Sequence, residues 1–219
     1  MNKAEKLKDI VIVGAGGMGG DTQWLIERIN EISPTYRILG YIDDGKSQGE
    51  IINDFPVLGG MEYLIQYPKS LAVAFAIGNA KTRKKLIQKA MANEKLYYPN
   101  LIDPSVIMSP RVQLGKGNII CASAILTMNI DVCDFNLICN RCIVGHDNKM
   151  DSYNTLYPGV ILSGNVQLGQ IVEIGTGSQV IQGINICDNV IIGAGGAVVK
   201  NLEKEGTYVG VPLRHVEKD

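Results

Sequence analysis

An aliphatic residue stands at every sixth position from Ile102 to Val198, seventeen positions without a miss. A helix at 3.6 residues per turn would scatter these side chains around its circumference, and a flat strand would repeat every two residues. A step of six is the signature of a hexapeptide solenoid. The residue after each aliphatic is mostly small, as at Gly115, Thr127, Gly145, Ser163 and Gly175. The fourth residue after it is often Val, Ala, Ile, Cys or Asn. Large side chains inside and small ones at the corners predict a parallel β-helix with three hexads to a triangular coil. Stacked coils bury a continuous aliphatic column, and each coil depends on its neighbours for burial.

Before residue 102 the pattern is different. Ile10 to Val13 reads as a buried strand that enters Gly14-Ala15-Gly16-Gly17-Met18-Gly19-Gly20, and a helix carrying Trp24, Leu25, Ile26 and Ile29 follows. Gly14, Gly16 and Gly19 satisfy G-x-G-x-x-G between a strand and a helix. Such glycines let a phosphate or sugar approach main-chain N–H groups at a helix N-terminus, though a tight turn that only packs the helix uses the same residues. A second strand, Tyr36 to Ile42, ends in Asp43-Asp44. An acid at that place takes a ribose hydroxyl in dinucleotide-binding folds. Two adjacent acids also suit a base or sugar contact, or a solvated strand end. A short helix is predicted around Glu62 to Gln66, a buried strand over Leu71 to Ile77 ending at Gly78-Asn79, a basic amphipathic helix over Thr82 to Ala92, and a short strand near Leu96 to Leu101. The division predicted is an α/β Rossmann-like domain over 1–101 and an all-β parallel β-helix with a C-terminal tail over 102–219. Three or four parallel strands hold a mononucleotide but hardly both halves of NAD, which weakens a nicotinamide-dependent reading.

The net charge of −1 gives no support for a nucleic-acid partner. No apolar run approaches eighteen residues, so no membrane span is predicted. The start of the chain, charged on both signs from Asn2 to Asp9, argues against a signal peptide, and a cytoplasmic location is expected. Cys121, Cys133, Cys139 and Cys187 fall in the small corner slot and Cys142 in the inward slot, so all five are expected to act as small buried hydrophobes. With two histidines in the chain, no metal site is expected.

One histidine is placed for chemistry. His146, in Val144-Gly145-His146-Asp147, takes an outward slot of its hexad. Eighteen residues on, one full coil away, lies Gly164, whose N–H should be stacked about 4.8 Å from it. A base above a backbone donor is the minimum equipment for acyl transfer. A purely structural solenoid scaffold would not need this pairing. His215, in the charged tail, is expected to be solvated.

Taken together, Val13 to Gly19, Tyr41 to Asp44, Pro56 to Gly59, Ala76 to Asn79, Gly145-His146-Asp147, Gly164-Asn165 and Val209 to Pro212 resemble a bacterial family. These are the nucleotide-sugar acyltransferases that join a small Rossmann-like domain to a left-handed β-helix. They include UDP-4-amino-sugar N-acetyltransferases of bacillosamine synthesis and sialic acid O-acetyltransferase-like proteins. The resemblance implies the left hand of the solenoid and a homotrimer with active sites between neighbouring β-helices. It implies acetyl-CoA as co-substrate and a nucleotide-activated amino-sugar as acceptor, serving cell-surface glycan synthesis, with O-acetylation of a sugar as the nearest variant. By the same resemblance His146 is the general base, Asp147 its orienting acid and Gly164 the oxyanion donor. Gly14, Gly16, Gly17, Met18, Asp43, Asp44 and Gly78 fall at substrate-contact positions, and Thr155, Thr176 and Ala194 at acetyl-CoA positions. The chain departs from the family pattern at Met18 and Thr155, where relatives carry histidines, and at Gly145, where some carry an acidic or other side chain.

Overall fold

A computed structural model describes residues 7–216. Most of the charged start, on which the expectation of no signal peptide rests, lies outside the described residues.

The N-terminal half is a doubly wound sheet. Its elements are β1 (Lys8–Val13), α1 (Gly17–Ile32), β2 (Tyr36–Ile42), β3 (Ile51–Ile52), β4 (Phe55–Gly59), α2 (Met61–Ile65), β5 (Leu71–Phe75), α3 (Ala80–Ala90) and β6 (Leu96–Tyr97). The sheet order is β3-β4-β2-β1-β5-β6, with β3 antiparallel to β4 and the other pairs parallel. That is five parallel strands rather than the three or four expected, because β4 pairs with β2 beyond Pro56. Alternation sorts the two faces of β1. Ile10 and Ile12 pack with Leu25 and Ile26 of α1, while Val11 and Val13 pack with Leu64 of α2 and Ile87 of α3.

From Leu101 onward the chain winds a β-solenoid. Strands pair in parallel eighteen residues apart, as Leu137 with Thr155 and Ile143 with Ile161. The three sides are sheets of eight, six and five strands. The expected aliphatics point inward and are buried from Ile120 to Val198. At the first coil, with no coil beneath it, Ile102 and Leu114 are only partly buried and Met108 is exposed. The inward fourth slot also holds buried asparagines. Asn136 N donates to Asn118 Oδ1 and Asn154 N to Asn136 Oδ1, each at 2.8 Å, and Val172 N to Asn154 Oδ1 at 2.7 Å. This ladder satisfies the polar side chains inside the column.

The outward slots distinguish the three sides. On the first, Leu101, Ile119, Leu137, Thr155 and Glu173 are all buried, because α1 and the loop before α3 lie over them. On the second, Ile107, Ile125, Ile143 and Ile161 form an apolar column that is exposed at Ile107 and half-buried at the rest. The third carries Gln113, Asp131, Lys149, Gln167 and Asn185. These are the covered, isoleucine and polar faces below.

Three expectations are corrected. The expected C-terminal tail does not stand apart from the solenoid: Leu202 bridges to Ile186, and Gly206–Val209 adds a parallel strand beside Val190–Ile192. His215 is not free in solvent, since Arg214–Val216 pairs antiparallel with that strand and the imidazole meets the Tyr208 ring edge-on at 5.0 Å. Cys121, Cys139 and Cys142 are buried, but Cys133 is exposed and Cys187 half-buried, because they turn a corner that the N-terminal half leaves uncovered. Burial pushes the Cys139 thiol up to about 12 and Cys142 up to about 11, which makes both poor nucleophiles.

Candidate functional site

The N-terminal half holds a cleft of about 430 Å³ at the C-terminal edge of its parallel strands. Ligands of open α/β sheets bind at this edge. Gly14, Gly16, Gly17, Met18, Asp43, Asp44 and Gly78 all line it. The glycines divide by role. At Gly14, with φ of +100°, a Cβ would lie 2.8 Å from Ala76 O, and at Gly19 one would lie 2.1 Å from Gly14 O, so the fold itself demands both. At Gly16 and Gly17 a Cβ would meet no protein atom within 4 Å. Their bareness is not needed for packing, and it leaves the N-terminus of α1 open to a ligand.

The two acids also hold the cleft in shape. Asp43 accepts from Ala15 N at 2.8 Å and Gly45 N at 2.9 Å, pinning the glycine loop to the end of β2. Asp44 accepts from Met61 N at 2.8 Å at the start of α2. Among the described residues, none that lines the cleft is basic. Met18 is half-buried and packs against the α1 core.

His146 stands on the solenoid edge between the isoleucine and polar faces, its side chain 55% exposed. Its Nδ1 lies 2.8 Å from Asp147 Oδ2, and the other carboxylate oxygen accepts from Asn129 Nδ2 at 3.0 Å. Hydrogen bonds from His146 and Asn129 hold the Asp147 carboxyl below the usual carboxylate range. An ionised carboxylate only accepts, so Nδ1 carries the imidazole proton and Nε2 presents its lone pair outward. Asp147 adopts φ of +58°, and its N–H is tied to Met128 O at 2.9 Å. The neighbouring coils thus aim the pair.

Gly164 lies directly beneath the ring. A Cβ there would fall 2.4 Å from His146 Cε1 and Nε2. Its N–H has no acceptor among the described residues. Gly145 is equally required, since a Cβ there would lie 2.7 Å from Ser163 C. This explains why the residue before His146 is bare in this chain. Behind the corner, buried Asn148 donates to Gly145 O at 2.8 Å and Ser163 O at 2.9 Å and accepts from Val166 N. Sequence reasoning passed over both Asn129 and Asn148. Asn129 is eighteen residues before Asp147, and Asn148 is a polar residue in an inward slot; either fact would have found them.

The expected acetyl-CoA positions separate. Thr176 and Ala194 are exposed and stacked one coil apart on the edge between the covered and isoleucine faces. Thr155 is a correction: it points into the covered face and is fully buried. Its hydroxyl donates to Gly78 O at 2.7 Å and accepts from Arg83 Nη1 at 2.9 Å, so it does not present a contact to acetyl-CoA.

Among the described residues no group of three His, Cys, Asp or Glu side chains is placed to hold a metal ion, and no helix is long and apolar enough to cross a membrane. Residues 9–90 match the PglD N-terminal domain family. The acetyltransferase domain of PglB from Neisseria gonorrhoeae, solved with acetyl coenzyme A, is similar over 96% of this chain and 100% of its own, at 27% identity and a TM-score of 0.86. A variant of perosamine N-acetyltransferase from Caulobacter crescentus, solved with CoA and GDP-perosamine, is similar over 97% of this chain and 99% of its own, at 28% identity and a TM-score of 0.86. A serine acetyltransferase of Synechococcus elongatus is 32% identical over 80 residues, 33% of either protein, so the chain spans about a third of that relative. Residues 9–90 are thus similar to a PglD-type N-terminal domain, and over nearly its whole length the chain shares the fold of these two solved acetyltransferases.

Proposed function

We propose that the protein moves the acetyl group of acetyl-CoA to the amino group of a nucleotide-linked amino-sugar by direct transfer, with His146 as general base. The observation that carries this reading is the outward imidazole fixed by Asp147 over a bare glycine, in a chain that also holds a glycine-lined cleft. The sugar nitrogen attacks the thioester carbonyl while Nε2 takes its proton. The tetrahedral oxyanion is met by the Gly164 N–H. Collapse then expels the CoA thiolate, which recovers the proton from the imidazolium. No covalent acyl-enzyme is required. The Gly16 and Gly17 loop at the start of α1 suits the phosphates of the nucleotide in a cleft that no described residue lines with a basic side chain.

The reading includes a homotrimer. Within one chain the N-terminal half sits on the covered face, while His146 stands on the edge opposite that face. A sugar held in the cleft therefore meets a His146 supplied by a neighbour. The isoleucine column, an apolar stripe from Ile107 to Ile161 that ends at Gln179, supports close association of β-helices there. Thr176 and Ala194 on the far edge of that side are the proposed acetyl-CoA contacts.

The test is CoA thiol release with acetyl-CoA and a panel of UDP-, dTDP- and GDP-linked amino-sugars, beside free sialic acid. Release with an amino-sugar, reduced about 10²- to 10⁴-fold in His146→Ala, is expected. Release with hydroxyl acceptors alone would move the assignment to O-transfer, and a fully active His146→Ala would remove the general-base role.

A further inference from the structure

The wall of the cleft at Gly78 is built from the solenoid side. Gly78 O accepts from Thr155 Oγ1 at 2.7 Å and from Arg83 Nη1 at 3.1 Å, and Ile77 O accepts from Arg83 Nη1 at 2.5 Å. The same guanidinium donates to Phe135 O, Tyr153 O and Asn154 O at 2.9 to 3.3 Å. Arg83 is thus fully buried, with every acceptor a neutral oxygen drawn from both halves of the chain. One coil beyond Thr155, Glu173 Oε1 accepts from Asn79 Nδ2 at 3.0 Å and Ala80 N at 2.9 Å, and its Oε2 accepts from Tyr157 OH at 3.2 Å. Burial and the nearby Glu173 push Tyr157 up to about 12, so it stays a donor. Two successive coils therefore grip residues 77–80 from beneath, while Ile77 and Gly78 face the cleft.

Building on the acetyltransfer reading above, we propose that Thr155 and Glu173, acting with Arg83, are positioning residues that set the Gly78 wall for the nucleotide-sugar. The solenoid then tunes affinity for the acceptor through residues that touch neither substrate. The Thr155 hydroxyl gives its one proton and one lone pair to this grip. Valine in its place keeps the shape and removes both bonds. Gly78 O retains Arg83, so the loop loosens without losing its last partner.

The experiment compares wild type, Thr155→Val and Thr155→Ser by amide hydrogen exchange without substrates and by steady-state kinetics. In Thr155→Val, exchange at residues 77–80 should quicken about five- to tenfold, with no change around His146. KM for the amino-sugar nucleotide should rise by a similar factor, while KM for acetyl-CoA and kcat stay within about twofold. Thr155→Ser, which restores the hydroxyl, should return both readouts to wild type. Unchanged exchange at 77–80, or equal rises in both KM values, would overturn the proposal. If wild type releases no CoA with any acceptor, the transfer reading fails, and the exchange arm alone then decides whether Thr155 holds this wall.

Discussion

Asn129 donates to the carboxylate oxygen of Asp147 that His146 does not use, at 3.0 Å from the coil before it. That bond fixes the rotation of the carboxylate, and the carboxylate fixes the imidazole. Asn129→Ala should therefore lower kcat about three- to tenfold and leave both KM values unchanged, measured by initial rates. Because the Asp147 carboxyl is held below the usual range, it stays ionised as pH falls from about 7 to 5. Asp147→Asn removes the carboxylate that accepts the Nδ1 proton of His146. The maximal rate should fall about tenfold or more as the tautomer is freed. An unchanged rate in Asp147→Asn, measured by initial rates, would mean that the carboxylate does not orient His146 for transfer. Gly164→Ala tests the floor of the site. Its Cβ would collide with the His146 ring, so activity should fall as far as in His146→Ala while circular dichroism stays native.

At the scale of elements, the solenoid was legible because each coil imposes the same geometry on the next. The predicted aliphatics end the strands Leu137–Ile138, Ile143–Val144 and Gln167–Leu168. The outward slots carried a second message: leucine or isoleucine at Leu101, Ile119 and Leu137, and at Ile107, Ile125, Ile143 and Ile161, marks two sides that need covering. What period cannot tell is which side the N-terminal half covers. That depends on docking α1 over Leu101 and Ile119, which are its neighbours in space rather than in sequence. It is why Thr155 was expected beside acetyl-CoA and lies at a junction. The β3–β4 hairpin was missed because a two-residue strand and Pro56 leave little pattern to read. The asparagine ladder shows a limit of hydrophobicity as a guide. Asn136 is buried among aliphatics, yet its Oδ1 caps Asn154 N and its Nδ2 donates to Cys133 O at 3.1 Å. Asn136→Val adds apolar surface but strands those groups. It should lower stability by about 1–3 kcal/mol, read from the urea midpoint.

For the molecule as a whole, the cleft and His146 lie on opposite sides of the solenoid, and the proposed transfer between them makes a prediction that no single-chain enzyme would satisfy. Gly16→Trp should block the cleft and retain a good His146, because a Cβ at 16 would meet no protein atom within 4 Å and Gly16 lines the cleft. His146→Ala retains a good cleft. Each variant alone should be inactive. Co-expressed in equal amounts, they should form mixed assemblies in which some sites take the cleft from one chain and His146 from the next. With random assembly about one site in four combines both intact parts, so about a quarter of the wild-type rate should return. A site completed within one chain would return none of it. Ile143→Glu supplies the complementary case, since it sets a charge on the isoleucine face without touching cleft or base. If the proposed transfer holds, it should shift the protein toward monomer by light scattering and abolish transfer together, because a lone chain keeps its cleft on the side of the solenoid away from its own His146.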